Sequence, residues 1–326
     1  MRKRNLVAAI SSFVFAGIGT AAGQVYPSRP ITVVVPFAAG GPTDTVARIV
    51  TEPMRASLGQ AVTIENITGA AGTVGTGRVA HAAPDGYTLV AGYWGTHVLN
   101  GALYTLKYDV LRDFEPIALL ASNPQLIVAK NAVPANDLNE LIAWLKANPN
   151  KASQGTAGMG SPAHVSGAFF QSLTGTRFQF VPYSRGAAPA MQDLIAGQID
   201  LMFDQVSNSL PHVRSGTIRA YAVTAKTRLA SAPEIPTVDE AGLPGFYVSV
   251  WAGLWAPKGT PKNIIAKLND AVTGSLADPS VQRRFADLGQ EMPARALQTS
   301  EGFGVFHKAE IDKWWPIIKA AQIKAE

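Results

Sequence analysis

Short apolar runs alternate with amphipathic segments along the whole chain, which predicts strands and helices in turn. The apolar runs are rich in β-branched side chains and are bounded by Gly, Pro, Asn or Asp. This alternation is typical of the α/β class and favours largely parallel sheets. The predicted strands cover residues 31–35, 62–65, 88–92, 116–121, 125–129, 178–181, 201–203, 220–224 and 249–256.

Helix ends are marked by residues that favour them. Asp137 with Glu140 forms a capping pattern, and Pro162 and Pro279 stand where a first helical turn tolerates proline. The last predicted helix is amphipathic, and its aromatic residues, including Trp314, are expected in the core. The predicted helices cover residues 43–58, 72–82, 137–148, 162–174, 189–196, 207–215, 261–277, 279–287 and 301–320.

The first 23 residues have the pattern of a secretory signal peptide. Basic residues at 2–4 precede an apolar stretch at 6–18 that is too short for a stable membrane span, and small residues follow at 20–23. We expect cleavage before Gln24 or one residue earlier. An uncleaved membrane anchor is the alternative. The rest of the chain contains no apolar run of membrane length, so the mature chain is not expected to span a membrane.

Composition excludes several function classes. The chain has 28 Lys and Arg against 23 Asp and Glu, but three of the basic residues belong to the predicted signal peptide. The remaining cations are scattered, so nucleic acid is not an expected partner. Cysteine is absent and the five histidines are dispersed, which excludes disulfides and zinc-type spacing. We therefore expect no cofactor and no metal.

The glycine turn after the first predicted strand carries the strongest functional signal. Residues 36–44 have the sequence Pro-Phe-Ala-Ala-Gly-Gly-Pro-Thr-Asp and lead into a predicted helix. A helix start offers unpaired N–H groups and a positive dipole end, and glycine lets a ligand approach the backbone. Lysine does not follow the glycines, which excludes a phosphate-binding P-loop. The turn favours a carboxylate held by main chain, with ordinary turn chemistry as the alternative.

A second glycine-rich turn precedes the helix predicted from Pro162. Residues 155–164 contain three glycines, then Ser161 as the expected N-cap, then Pro162. Two such turns facing each other across a cleft would suit a ligand with a carboxylate at one or both ends. Ser161 with His164 also allows a secreted serine hydrolase, a weaker alternative because the second glycine of the Gly-x-Ser-x-Gly elbow is missing.

Eight segments along the mature chain occur in an order that is specific as a set. They are residues 36–48, 66–72, 83–89, 158–164, 181–190, 193–200, 236–245 and 256–261. In these segments the chain resembles the Bug, or TctC, family of periplasmic solute-binding proteins, the receptors of tripartite tricarboxylate transporters. The resemblance covers essentially the whole mature chain.

The resemblance implies a fold and a function. The fold is an α/β, two-domain periplasmic binding protein of type II-like architecture, with a ligand cleft between the domains and two crossovers. Domain one would be residues 24–122 plus 245–326, and domain two residues 123–244. The function is capture of a small organic acid in the periplasm for the membrane subunits of a tripartite tricarboxylate transporter, without enzyme activity. A sensor that presents its ligand to a signalling receptor is the alternative.

The resemblance and the two turns together give a set of candidate ligand-binding residues. Asp44 is expected to orient backbone and water at the helix start, where Arg48 pairs with it. Asp204 follows a predicted strand and is expected to accept a hydrogen bond from the ligand or from a bridging water. The full set is Phe37, Ala38, Ala39, Gly40, Gly41, Asp44, Trp94, Thr96, His97, Gly160, Ser161, His164 and Asp204.

One segment departs from the commoner family pattern. Tyr93 and Trp94 stand after the third predicted strand, where many relatives carry small Ser or Thr residues. The carboxyl end of a strand is where α/β proteins bind ligands, so an aromatic acid stacked on Trp94 is one hypothesis. The alternative is that Trp94 packs inside the protein, as most tryptophans do.

Overall fold

The computed structural model describes residues 26–183 and 186–324, and the predicted signal peptide lies outside them. Within these residues the chain forms nine strands. Eight of them coincide in position with the nine predicted segments, two of which fall in one strand, and the ninth strand was not predicted. They are β1 (Ile31–Val35), β2 (Val62–Asn66), β3 (Thr88–Tyr93), β4 (Phe114–Lys130), β5 (Ser153–Thr156), β6 (Gln179–Pro182), β7 (Leu201–Gln205), β8 (Ile218–Val223) and β9 (Ser249–Pro257).

The same residues form ten α-helices, nine of them close to the predicted bounds. A π-helical turn, Gly95–Leu99, and a short helix directly after it were not predicted. The helices are α1 (Pro42–Leu58), α2 (Thr73–Ala80), α3 (Asn100–Leu103), α4 (Leu138–Ala147), α5 (Pro162–Thr174), α6 (Ala187–Ile195), α7 (Val206–Arg214), α8 (Lys262–Ala277), α9 (Pro279–Asp287) and α10 (Ser300–Ala320).

The strands form two sheet halves that share β4. The first half contains β2, β1, β3, β9 and the start of β4, and the second contains the end of β4 with β7, β8, β5 and β6. The chain leaves the first half along β4 and returns at the start of β9, so it crosses twice between the halves. The domain bounds given above stay a prediction.

The expectation of largely parallel sheets was wrong. Among the described strands, β1 is parallel to β2 and β3, and β5 is parallel to β6 and β7. The other four pairings are antiparallel, and all of them involve β4 or β9. The two crossover strands therefore run against their neighbours in both halves.

Strand β4 merges two predicted strands, 116–121 and 125–129, across Pro124. Proline lacks the N–H group that a strand interior needs. Pro124 pairs with Ser249 at the last position of the β9 ladder, and the β7 ladder begins at Gln125. Because the proline stands where one ladder gives way to the next, the strand continues through it.

The missed strand β5 has a polar sequence, Ser-Gln-Gly-Thr, without apolar alternation. Gln154 is nevertheless fully buried, and its side chain donates to the carbonyl oxygen of Ala163 at 2.8 Å. A Cβ on Gly155 would lie 2.4 Å from Ile199, so packing requires glycine there.

Apolar faces of the helices pack on both sides of the sheet. In α10 Phe303, Ile311 and Trp314 are buried as expected, but Trp315 is exposed and Phe306 is only half-buried, so the expectation of an aromatic core face is confirmed only in part. Within the described residues, no helix combines the length and apolar character that crossing a bilayer requires.

Candidate functional site

A cleft of about 700 Å³ lies between the two sheet halves. Its walls come from the loop before α1, from the loops at the ends of β5 and β7 and the start of α6, and from β9 at the floor. The lining residues are Phe37, Ala38, Gly41, Pro42, Thr43, Val46, Tyr93, Ala157, Gly186, Gln205, Val250, Trp251, Ala252 and Gln290.

The first glycine turn forms one wall of the cleft, as the sequence predicts. Phe37, Ala38 and Gly41 line it directly, and the Phe37 ring packs edge-to-face on Tyr93 with centroids 5.2 Å apart. Ala39 and Gly40 lie in the same loop, are exposed, and do not line the cleft.

Asp44 braces this turn from behind. Its carboxylate accepts hydrogen bonds from the Gly40 N–H at 2.8 Å, from Arg48 at 2.8 and 3.1 Å, and from Asn66 at 2.9 Å. Asn66 also donates to the carbonyl oxygen of Phe37 at 2.9 Å. Burial raises the pKa of Asp44, but the hydrogen bonds from Arg48, Gly40 and Asn66 outweigh it and hold the pKa below its ordinary value. Asp44 is 1% exposed and acts on the loop's shape rather than lining the cleft.

Three helices begin at the cleft wall. Gly41, Gly186 and Gln205 are the N-cap residues of α1, α6 and α7, and all three line the cleft. Within the described residues, no side chain caps any of these three helix starts. Their first-turn N–H groups and positive dipole ends therefore remain available to an anion.

The second glycine turn contributes less than the sequence predicts. Ser161 is the N-cap of α5, and its hydroxyl accepts from the His164 backbone N–H at 3.4 Å, while His164 Nδ1 accepts from the Gly160 N–H at 2.9 Å. Burial lowers the pKa of His164 to about 4. Gly160, Ser161 and His164 form hydrogen bonds with one another and do not line the cleft. Ala157 is the residue of this turn that lines it.

The aromatic hypothesis for Trp94 does not fit its position. Trp94, Thr96 and His97 are each 0% exposed and lie in the π-helical turn and the residue before it. Trp94 packs edge-to-face on Trp314 at 4.8 Å, and His97 stacks on Trp255 at 3.7 Å. Thr96 and His97 also bond each other at 2.9 Å. The π-helical turn drives these side chains into the core, so none of the three lines the cleft.

Asp204 is turned away from the cleft by strand alternation. Its neighbour Gln205 lines the cleft, and successive side chains of a strand point to opposite faces. Asp204 instead accepts from Asn208 at 2.7 Å and from Ser209 at 2.6 Å in α7. Burial raises its pKa to about 6.

Several lining residues were missed by the sequence reasoning. Gly186 belongs to a family segment that was used for the resemblance but not for the site. Val250, Trp251 and Ala252 form the floor, and a continuous apolar strand carries no mark of which residues face a cleft. Gln290 lies in a loop without any pattern.

The cleft lining is electrically neutral. Among the residues that the structure describes, no Asp, Glu, Lys, Arg or His lines it. The described residues also contain no group of three or more His, Asp or Glu side chains that could hold a metal ion. The arrangement therefore offers backbone dipoles, apolar walls and four side chains with a hydroxyl or amide group, Thr43, Tyr93, Gln205 and Gln290.

Residues 46–323 match the model of the tripartite tricarboxylate transporter family receptors, TctC. The chain belongs to this family. Among solved structures, the periplasmic binding protein BugD is 41% identical over 92% of this chain and 100% of its own, with a TM-score of 0.77. MatC of Rhodopseudomonas palustris, solved with bound malate, is 43% identical over 90% of this chain and 100% of its own, with a TM-score of 0.77.

A second R. palustris protein, solved with adipate, is 33% identical over 92% of this chain and 100% of its own, with a TM-score of 0.79. These TctC relatives confirm the predicted fold class of a periplasmic binding protein. The TctC family is a family of transporter receptors in the periplasm and not an enzyme family.

Proposed function

We propose that this TctC receptor holds a small organic acid by its carboxylate in the cleft. The observation that carries the proposal is the convergence of three uncapped helix starts, at Gly41, Gly186 and Gln205, on one neutral cavity. An anion there would be stabilised by N–H groups and helix dipoles without a counter-charge from a side chain. Malate and adipate in the related structures are both carboxylates.

The test is calorimetric titration of the mature chain after unfolding and refolding to remove any bound solute. We expect binding of at least one member of a panel of mono-, di- and tricarboxylates, and a large loss of affinity when the carboxylate is replaced by the matched carboxamide. Equal affinity for acid and amide, or silence across the panel, would overturn the proposal. Mass spectrometry of the solute released on unfolding would identify the acid.

We also propose that the chain is exported and that residues 1–23 are removed. The mature protein then delivers its ligand to the membrane subunits of a tripartite tricarboxylate transporter. Hinge motion between the two sheet halves would close the cleft on the ligand. Uptake by vesicles that contain the cognate membrane subunits should require this protein. Normal uptake without it, combined with loss of a signalling response, would favour the sensor alternative.

Catalysis has no part in the proposal. The Ser161 hydroxyl accepts from a backbone N–H, and the His164 Nδ1 accepts from another, so neither is arranged to activate the other. Ser161→Ala should leave ligand affinity unchanged and cost only the helix cap, about 0.5–2 kcal/mol of stability. Ester turnover that Ser161→Ala abolishes would support the hydrolase instead.

A further inference from the structure

The π-helical turn Gly95–Leu99 stands next to a residue of the cleft wall. Tyr93 is the last residue of β3 and lines the cleft, and the turn begins two residues later. Helical turns of this type are rare and occur frequently at functional sites. Because Trp94, Thr96 and His97 are fully buried, this segment reaches the cleft through Tyr93.

Thr96 in this turn fixes the backbone of Tyr93. Its hydroxyl oxygen accepts a hydrogen bond from the Tyr93 N–H at 3.0 Å, and the same hydroxyl donates to the Tyr93 carbonyl oxygen at 3.0 Å. Thr96 is 0% exposed, so water does not compete for these two bonds. The backbone of Tyr93 is therefore held in one orientation by a side chain that does not itself line the cleft.

Two glycines make room for an aromatic pair, Phe37 and Tyr93, in the cleft wall. A Cβ on Gly95 would lie 2.2 Å from Cζ and from the hydroxyl oxygen of Tyr93. A Cβ on Gly72 would lie 2.9 Å from Cζ of Phe37. The two rings pack edge-to-face with centroids 5.2 Å apart, and both residues line the cleft. The Tyr93 ring therefore packs against Gly95 as well as Phe37, which restricts it to one position.

The aromatic pair lies beside the expected position of the carboxylate. Phe37 belongs to the loop that ends at Gly41, the N-cap of α1, whose first-turn N–H groups offer an anion site. An acid bound there would extend its hydrocarbon body along the neighbouring wall. Burial raises the pKa of Tyr93 to about 12, so its hydroxyl stays neutral and does not repel an anion.

We infer that Tyr93 determines which acids this cleft accepts, by limiting the size of the hydrocarbon body beside the start of α1. This inference rests on the proposed carboxylate-binding function. A ring held by Gly95, Thr96 and Phe37 cannot turn aside for a larger ligand, so an acid that overlaps it has to leave the helix N–H groups. Gly95 and Thr96 are positioning residues that act through Tyr93.

The test measures affinity against ligand size by calorimetry on the refolded full mature chain. The panel contains unbranched mono- and dicarboxylates of increasing length, with benzoate and cyclohexanecarboxylate as wide acids. In the wild type we expect affinity to fall about ten-fold or more once the acid exceeds the best size, since a packed wall rejects extra methylene groups.

Two substitutions separate the shape of Tyr93 from its hydroxyl group. Tyr93→Ser removes the ring and should raise the affinity for the larger acids, relative to the best wild-type acid, about ten-fold or more. Tyr93→Phe keeps the ring and should retain the wild-type order of affinities. Thermal unfolding checks that both variants are folded.

A double-mutant cycle tests the positioning role of Gly95. Gly95→Ala places a methyl group against the Tyr93 ring and should move the ring, so the preferred size of acid should change. In the Tyr93→Ser background the ring is absent, so Gly95→Ala should then have little further effect. Gly274→Ala is the matched control and should leave the order of affinities unchanged, because a Cβ there would point into open space and Gly274 does not line the cleft.

The outcomes separate the two proposals. A wild-type order of affinities in Tyr93→Ser, an equal change of order in Tyr93→Phe, or additive effects of Gly95→Ala and Tyr93→Ser would overturn this inference alone. If Gly95→Ala does not fold, the two Tyr93 variants decide the inference. Silence toward every acid would overturn the proposed function and this inference with it.

Discussion

The backbone N–H of Gly40 donates to the carboxylate of Asp44 at 2.8 Å, which ties the cleft loop to the first turn of the helix that follows it. Arg48 and Asn66 donate to the same carboxylate. The conformation of the cleft loop therefore depends on the buried side chain of Asp44, although Asp44 does not line the cleft. The expected role of Asp44 at the helix start becomes that of a brace for the loop.

Replacing Asp44 by Asn should destabilise the protein by about 1–3 kcal/mol at neutral pH, because charge-assisted hydrogen bonds are lost. The folded-state pKa lies below the unfolded value, so the stabilisation is complete above about pH 4 and is lost as pH falls through the folded pKa. When the unfolding free energy is measured with urea between pH 3 and pH 7, it should fall less steeply toward low pH in the variant than in the wild type. Arg48→Met is the control, with a smaller loss because Arg48 is half exposed. Wild-type stability of Asp44→Asn at every pH would contradict the brace.

Bulk at Gly41 should weaken ligand binding while the fold survives. Gly41 has a φ of −73°, which other residues adopt, and a Cβ there meets Ala38 O at 3.4 Å, an ordinary contact. Gly41→Val should lower carboxylate affinity about ten-fold or more, the equivalent of one charge-assisted hydrogen bond. Gly40→Ala is the matched control, since Gly40 has a φ of 80° and lies outside the lining, so its effect should fall mainly on stability. Unchanged affinity in Gly41→Val would remove this loop from the site.

The first wall of the site was predictable because its chemistry is local. A strand, a glycine pair and a helix start within residues 31–44 specify a backbone site without long-range information. The same local reasoning located Ser161 correctly as an N-cap. The same reasoning wrongly placed Ser161 in the ligand cleft. A residue that caps its own helix has the same local sequence pattern whether or not it lines a cleft.

The floor of the cleft was not predictable because it depends on register. Gln205 and Val250 are far apart in sequence, and only the pairing of β7 and β9 with the same strand β4 places both at the cleft. Likewise, Gln205 lines the cleft and its neighbour Asp204 does not, because successive side chains of β7 point to opposite faces. Which of the two lines the cleft depends on where β7 ends. The burial of Trp94 follows from a π-helical turn, for which the sequence offered no signal.

Truncating Trp94 should act on stability and not on ligand selectivity. Trp94 is fully buried against Trp314, so Trp94→Ala should cost about 3–5 kcal/mol in unfolding free energy, and Trp94→Phe less. Chemical denaturation measures the loss, and titration of the folded variants with benzoate and aliphatic acids measures selectivity. A loss of affinity for aromatic acids alone, without a change in stability, would show that Trp94 contacts the ligand.

The buried carboxyl of Asp204 should make the protein less stable as pH rises from about 4 to about 6. Burial raises its folded-state pKa from 3.8 to about 6, so the folded state holds a proton that the unfolded state has already released. The difference corresponds to about 3 kcal/mol at neutral pH, lost as pH rises through the folded value. Asp204→Asn should remove this dependence, as measured by urea unfolding at pH 4, 5, 6 and 7. Asp200→Asn is the control of opposite sign: burial raises the pKa of Asp200, but hydrogen bonds from Lys130 and Ser153 outweigh it and lower the pKa, so this variant should lose stability at neutral pH. Parallel pH profiles for wild type and Asp204→Asn would show that the carboxyl is charged at little cost in the folded protein.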